Sequence, residues 1–145
     1  MTPDEIVRLS KETGCNAVFL SDTMTVCGLP QFMQEAAKAE IKPIIGVRLR
    51  IVDILYSDKA GKKKYRPYYL RAIALTEAGY KAIVSILSLS FDDEHFYGVP
   101  RLLLSDVVEV FSKVSKSDVI VTLGDMYSAL SHGKAETVAS ALSDA

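Results

Sequence analysis

Two aspartates and one histidine are the side chains of this sequence best suited to holding a metal ion. Asp22 follows the apolar run Ala17-Val18-Phe19-Leu20, and Asp125 follows Val119-Ile120-Val121. Both therefore stand at the carboxyl end of an expected strand, where sheets of this kind place their sites. Hard divalent cations take oxygen donors, and two carboxylates on one rim could share one. Two carboxylates without imidazoles make a poor catalytic set, and the simpler reading is that each aspartate caps the turn or helix after it. His95 closes the run Asp92-Asp93-Glu94-His95. Adjacent loop residues rarely converge on one point, so a solvated turn accounts for the run, although a rebuilt site could enlist His95 with Asp22 and Asp125. Cys15 and Cys27 read as small buried hydrophobes. A second chemistry lies in residues 57–66. Lys62, Lys63, Lys64 and Arg66, beside Tyr65, Tyr68 and Tyr69, could grip a phosphate backbone and stack bases, or form a solvated loop. The sequence contains no glycine-rich phosphate loop, nucleophile elbow or zinc-protease helix motif.

The elements that must position these residues follow from the apolar spacing. Thr2-Pro3-Asp4-Glu5 opens a helix with a capping box, and Gly14 ends it. Residues 17–20 are wholly apolar, which predicts a strand covered on both faces. Leu29, Phe32, Met33 and Ala36 recur at helical spacing to about Ala39. A second strand enters at Ile41, and beyond Gly46 its residues alternate, with Arg48 and Arg50 on a wet face. Tyr68–Leu75 is a third strand. Thr76 caps a helix carrying Tyr80, Ile83, Val84 and Leu87. Leu104, Val107, Val108 and Phe111 mark another helix, Val119-Ile120-Val121 a fourth strand, and Ala135, Val138, Ala139 and Leu142 a last helix. Four strands separated mostly by helices predict a largely parallel sheet with helices packed on it. Between Ile51 and Tyr68 no helical pattern occurs, so those two strands are expected to pair antiparallel.

Composition narrows the function classes. The chain has 145 residues, suited to one domain spanning 1–145, with 49% hydrophobic and 24% charged residues. A net charge of -1 excludes a uniformly basic nucleic-acid coat but leaves room for a local basic patch. Two cysteines are too few for a disulfide scaffold or a four-thiolate zinc site. No apolar run is long enough to span a membrane, and the first residues lack the basic and apolar parts of a signal peptide, so a cytoplasmic setting is expected.

One set of segments is more specific than a fold pattern. Val18-Phe19-Leu20-Ser21-Asp22, Val26-Cys27-Gly28-Leu29, Phe32 and Ala39-Glu40-Ile41-Lys42-Pro43-Ile44-Ile45-Gly46-Val47 resemble the PHP (polymerase and histidinol phosphatase) domain that begins bacterial replicative DNA polymerase III alpha subunits. Tyr69–Leu75 with Glu77-Ala78-Gly79-Tyr80, then Pro100-Arg101 and Val119–Gly124, continue the resemblance over residues 2 to 130. It implies part of a distorted α/β barrel, about four mostly parallel strands with packed helices. It also implies metal-ligand positions, and here this sequence departs from the family. The family's first strand with its His-x-His pair is missing from the match. The Asp-His pair falls on Asp22 and Thr23, an acidic ligand on Arg48, a strand histidine on Tyr69 and a cysteine on Asp125. Arg48 puts a cation where the family puts metal ions. The expectation is therefore a catalytically degenerate module with no catalytic residue, metal or cofactor. It would serve DNA replication by binding a replication protein, either the polymerase body or the proofreading subunit, or by self-association. The alternatives are a metal-dependent phosphoesterase or exonuclease with a rebuilt site, and a nucleic-acid-binding module using the 59–66 loop.

Overall fold

The structure, a computed structural model, describes residues 1–55, 66–124 and 127–144. Helix α1 (Pro3–Glu12) begins as its sequence dictates. The Thr2 backbone N–H donates to the Glu5 carboxylate at 2.8 Å, and proline occupies the first turn. Gly14, at φ 77°, lets the chain leave the helix and enter β1 (Ala17–Thr23). Helix α2 (Leu29–Lys38) crosses to β2 (Lys42–Ile51), which lies parallel to β1 with Ala17 opposite Lys42 and Thr23 opposite Arg48. Strand β3 (Tyr68–Ala74) then runs antiparallel to β2, as the lack of an intervening helix predicts. Helix α3 (Glu77–Leu89) is capped by Thr76, whose hydroxyl accepts from Gly79 N–H at 3.2 Å. Helix α4 (Leu104–Phe111), strand β4 (Val119–Thr122) and helix α5 (Ala135–Ser143) complete the described chain.

The strand order is β1-β2-β3-β4. A largely parallel sheet was the expectation, and the structure corrects it. Only the β1–β2 ladder is parallel; β2–β3 and β3–β4 are antiparallel. The reason is the number of helices in each connection. One helix returns the chain to the end where the previous strand began, whereas two helices, α3 and α4, deliver it to the end where β3 finished. There Ala74 pairs with Val119, and Leu75 N–H donates to the Asp118 carbonyl at 2.8 Å.

All five helices contribute to one side of the sheet. Val7, Val18, Leu29, Phe32, Ala36 and Ile41 form one buried cluster under α1 and α2. Val47, Leu49, Ile51, Tyr68, Leu70 and Ala72 join Ile83, Ile86, Val107 and Val138 in a second under α3, α4 and α5. The strand residues of both clusters share one parity, so alternation puts their neighbours on the opposite face. That face carries Phe19, Ser21, Thr23, Gly46, Arg48, Arg50, Tyr69, Arg71, Ile73, Ile120 and Thr122 in register. No described helix covers it, and Phe19 and Ile120 are 36% and 45% exposed. Strand β1 is thus covered on one face rather than two. Its apolar run is continuous because Phe19 lies across Gly46 on the bare side; a β-carbon at Gly46 would stand 2.8 Å from that ring. Cys15 and Cys27 are both exposed, not buried, because each falls in a turn flanking a helix.

Tyr68 gives this packing a pH signature. Burial, with a smaller push from the Asp53 carboxylate, raises its phenol to about 12. The fold thus favours the neutral phenol, while the unfolded chain releases that proton near pH ~10. Stability is intact below pH ~10 and falls as pH rises towards ~12, by on the order of 2 kcal/mol. Urea midpoints measured across this window should decline for the parent and stay flatter for Tyr68→Phe.

Candidate functional site

The antiparallel β3 brings the start of one strand beside the end of another. Tyr69 lies opposite Arg50, and Arg71 opposite Arg48; Arg48 in turn lies opposite Thr23, and Arg71 opposite Thr122. After β4 the chain comes back along β3. Tyr69 N–H donates to the Tyr127 carbonyl at 2.9 Å, and Ala129 N–H donates to the Tyr69 carbonyl at 3.3 Å. The ends of β1, β2 and β4 and the beginning of β3 therefore share one rim.

Side chains on this rim and the bare face beside it are cationic and aromatic. The Arg48 guanidinium stacks 3.8 Å over the Tyr69 ring, a cation–π contact. Arg50 Nε donates to the Tyr69 hydroxyl at 3.2 Å. Arg71 lies 5.8 Å from the Phe19 ring. Its Nε and the Ser21 hydroxyl are buried and have no hydrogen-bond partner among the described residues. A cavity of about 680 Å³ opens at the rim, lined by Arg48, Arg66, Pro67, Tyr69, Tyr127, Ser131 and His132. The His132 ring lies against the loop backbone, its Nδ1–H donating to the Ser128 carbonyl at 3.1 Å.

The residues singled out in the sequence fare differently. Thr23, Arg48 and Tyr69 lie near one another on the bare face. Asp22 has the opposite parity. Its carboxylate turns to the helix side, where Oδ2 comes within 3.2 Å of the position a β-carbon on Gly28 would take. Asp125 lies outside the described residues, as do Lys62, Lys63 and Lys64; Arg66 is described and lines the cavity. His95 is not in a solvated turn. It is 8% exposed, and its Nε2–H donates to Asp106 Oδ2 at 3.1 Å, because the turn after α3 folds back onto the first turn of α4. That pairing commits His95 away from the rim and removes it from a rebuilt site with Asp22.

A metal ion would find little to hold it at the described family-ligand positions. Asp22 faces away, Thr23 and Tyr69 offer neutral oxygens, and Arg48 brings a positive charge. Among the described residues no three His, Cys, Asp or Glu side chains converge. These side chains do not fit a metal cluster. Sequence reasoning passed over Tyr127, Ser131 and His132, which reach the rim only through the return of the chain after β4. Arg71 was passed over too, although its shared parity with Tyr69 in β3 could have found it.

Comparison with known proteins agrees with this architecture. The sequence profile of the PHP domain matches residues 1–144. The chain is 28% identical over 122 residues to the DNA polymerase III alpha subunit of Yersinia pestis, covering 76% of this chain and 10% of that protein. With the same subunit of Borreliella burgdorferi it shares 32% identity over 107 residues, covering 71% of this chain and 9% of the relative. The chain thus spans about a tenth of the length of the curated relatives it matches. A solved structure from Bifidobacterium adolescentis, described as a candidate metal-dependent phosphoesterase, superposes with a TM-score of 0.56 at 10% identity. That superposition covers 97% of this chain and 69% of the other.

Proposed function

Because the chain belongs to the PHP domain family, we propose that residues 1–145 act as one catalytically degenerate PHP module in a DNA replication setting. Its work is binding or scaffolding in the cytoplasm, with a replication protein such as the polymerase body or the proofreading subunit as partner. Its sheet corresponds to the early and middle strands of the family barrel. The observation that supports this reading is the Arg48–Tyr69 stack at 3.8 Å, at two positions for which the resemblance implies an acidic and a histidine ligand. The described residues include no helix long and apolar enough to cross a membrane.

The reading makes a direct prediction. Calorimetric titration of the full chain with Mn²⁺ and with Zn²⁺ should give no saturable heat at the rim, and a generic phosphodiester should not be hydrolysed. Turnover that Asp22→Asn abolishes would defeat the proposal and restore the metal-dependent phosphoesterase alternative. Nucleic-acid contact through the 59–66 loop is the remaining alternative, with Arg66 its described representative.

A further inference from the structure

We propose that the turn joining α3 to α4 is a docking notch for a protein segment that combines arginine or lysine with large apolar side chains. The inference rests on the binding role proposed above, not on the absence of a metal, and it gives that role a place on the chain and a partner chemistry.

Exposed apolar surface is the first support. Between Phe91 and Val99 every residue except His95 is exposed. Phe91, Phe96, Tyr97 and Val99 are 57%, 43%, 63% and 41% exposed, and Ile54, just beyond β2, is 46% exposed. Large apolar side chains gathered at one part of a surface mark a place of association, and aromatic ones carry much of the energy of interfaces. The Phe91 and Phe96 rings stack with centroids 5.7 Å apart, so they act as one block.

Shape is the second support. Leu55, Asp93, Glu94, Phe96 and Tyr97 line a cavity of about 450 Å³. Its walls are tied together. The Arg101 guanidinium donates to the Leu55 carbonyl at 3.0 Å and to the Tyr97 carbonyl at 2.9 Å, and it lies 5.2 Å from the Tyr97 ring. Buried His95 pins the same turn to α4 through Asp106 at 3.1 Å. A turn fixed in this way costs little to order when a partner arrives.

Charge names the occupant. Asp92, Asp93 and Glu94 are consecutive, and among the described residues none of their carboxylates has an ion-pair or hydrogen-bond partner. Elsewhere Glu12, Glu35, Asp53, Glu77 and Glu109 each pair with a lysine or arginine. No lysine or arginine lines the cavity, and the nearby Arg101 is committed to backbone carbonyls. Adjacent carboxylates repel one another, and a partner's cation relieves that repulsion. Aromatic rings beside them attract the same cation. A phosphate backbone would be repelled, so the fit is to a basic protein segment and not to a nucleic acid.

The test maps amide resonances of the full chain by NMR while acetyl-Leu-Arg-Leu-Arg-Leu-amide is added. Saturable shifts centred on residues 91–99 and 54–55 are expected, weakening as salt is raised. The Leu-Glu-Leu-Glu-Leu and Gly-Arg-Gly-Arg-Gly counterparts remove the charge and the apolar contact in turn, and each should bind ~10-fold more weakly or worse. Glu94→Lys and Phe96→Ser, both changes of exposed side chains, should weaken the first peptide to a similar degree. Glu136→Lys, which alters an exposed carboxylate on α5, should leave binding unchanged. Resonances outside the notch that stay in place show that each variant is folded. Equal binding of the arginine and glutamate peptides, or no saturable shift, would overturn the inference; the titrations with Mn²⁺ and Zn²⁺ decide the reading above separately. Shifts of the same residues with protein concentration alone would assign the notch to a second copy of this chain and overturn the choice of partner. Saturable binding of the arginine peptide by a chain that also hydrolyses a phosphodiester would uphold the notch and defeat only the degenerate part of that reading.

Discussion

Replacing Gly79 with alanine should cost about 3 kcal/mol or more, enough to leave much of the chain unfolded. Alanine is the better helix former by ~1 kcal/mol, so helix propensity alone predicts the opposite sign. Contact decides the outcome. A β-carbon at Gly79 would lie 2.0 Å from the Asp118 carbonyl oxygen and 2.8 Å from its carbon, both backbone atoms. Asp118 has little room to retreat. Its carbonyl accepts from Leu75 N–H at 2.8 Å, and its carboxylate accepts from the Thr76 hydroxyl at 2.6 Å and from Ser115 N–H at 2.9 Å. The added methyl must therefore push α3 away from the start of β4. Gly124→Ala is the control, because nothing stands within 4 Å of the position its β-carbon would occupy. Urea unfolding followed by circular dichroism should show the first variant shifted or collapsed and the second close to the parent.

Asp106→Ala should destabilise the fold by about 3 kcal/mol, far more than a surface carboxylate warrants. One oxygen of this residue accepts two hydrogen bonds, from His95 Nε2–H at 3.1 Å and from the Leu103 N–H at 2.6 Å. His95 is 8% exposed and its other ring nitrogen is buried without a partner among the described residues. Truncation strands two donors that packing largely shields from water. Asp106→Asn retains an acceptor oxygen and should lose less. A double-mutant cycle with His95→Leu should show strong coupling, since the second change removes a donor the first has already orphaned. Additive losses would mean that the two residues act separately.

These two sites differ in how far the sequence discloses them. The Thr76 cap is plain from residue type and spacing, and Gly79 falls in the first turn it opens. What stands against Gly79 comes from Asp118, almost forty residues on, which no local pattern reveals. His95 sits in an acidic, polar run that reads as solvated; only the packing of α4 against the turn buries it. Helix positions and the β2–β3 hairpin were legible because capping, spacing and the missing helix are local signals. Strand direction was less so. Alternating strands and helices suggested parallel pairing, yet the two helices between β3 and β4 already required the reversed direction. Thr23, Arg48 and Tyr69 were named through the segments that carry the resemblance, whereas His132 and Tyr127 reach the rim through a returning loop whose path the sequence leaves open.

The division between a clad face and a bare one has an evolutionary consequence. Nearly all the apolar burial that holds the molecule together is on the clad side, in residues of a single strand parity. Exchanging a side chain on the other parity disturbs few of those contacts, so mutations there meet little resistance from folding. Such a surface is free to trade one chemistry for another, a histidine for a phenol or a carboxylate for a guanidinium, while its scaffold endures.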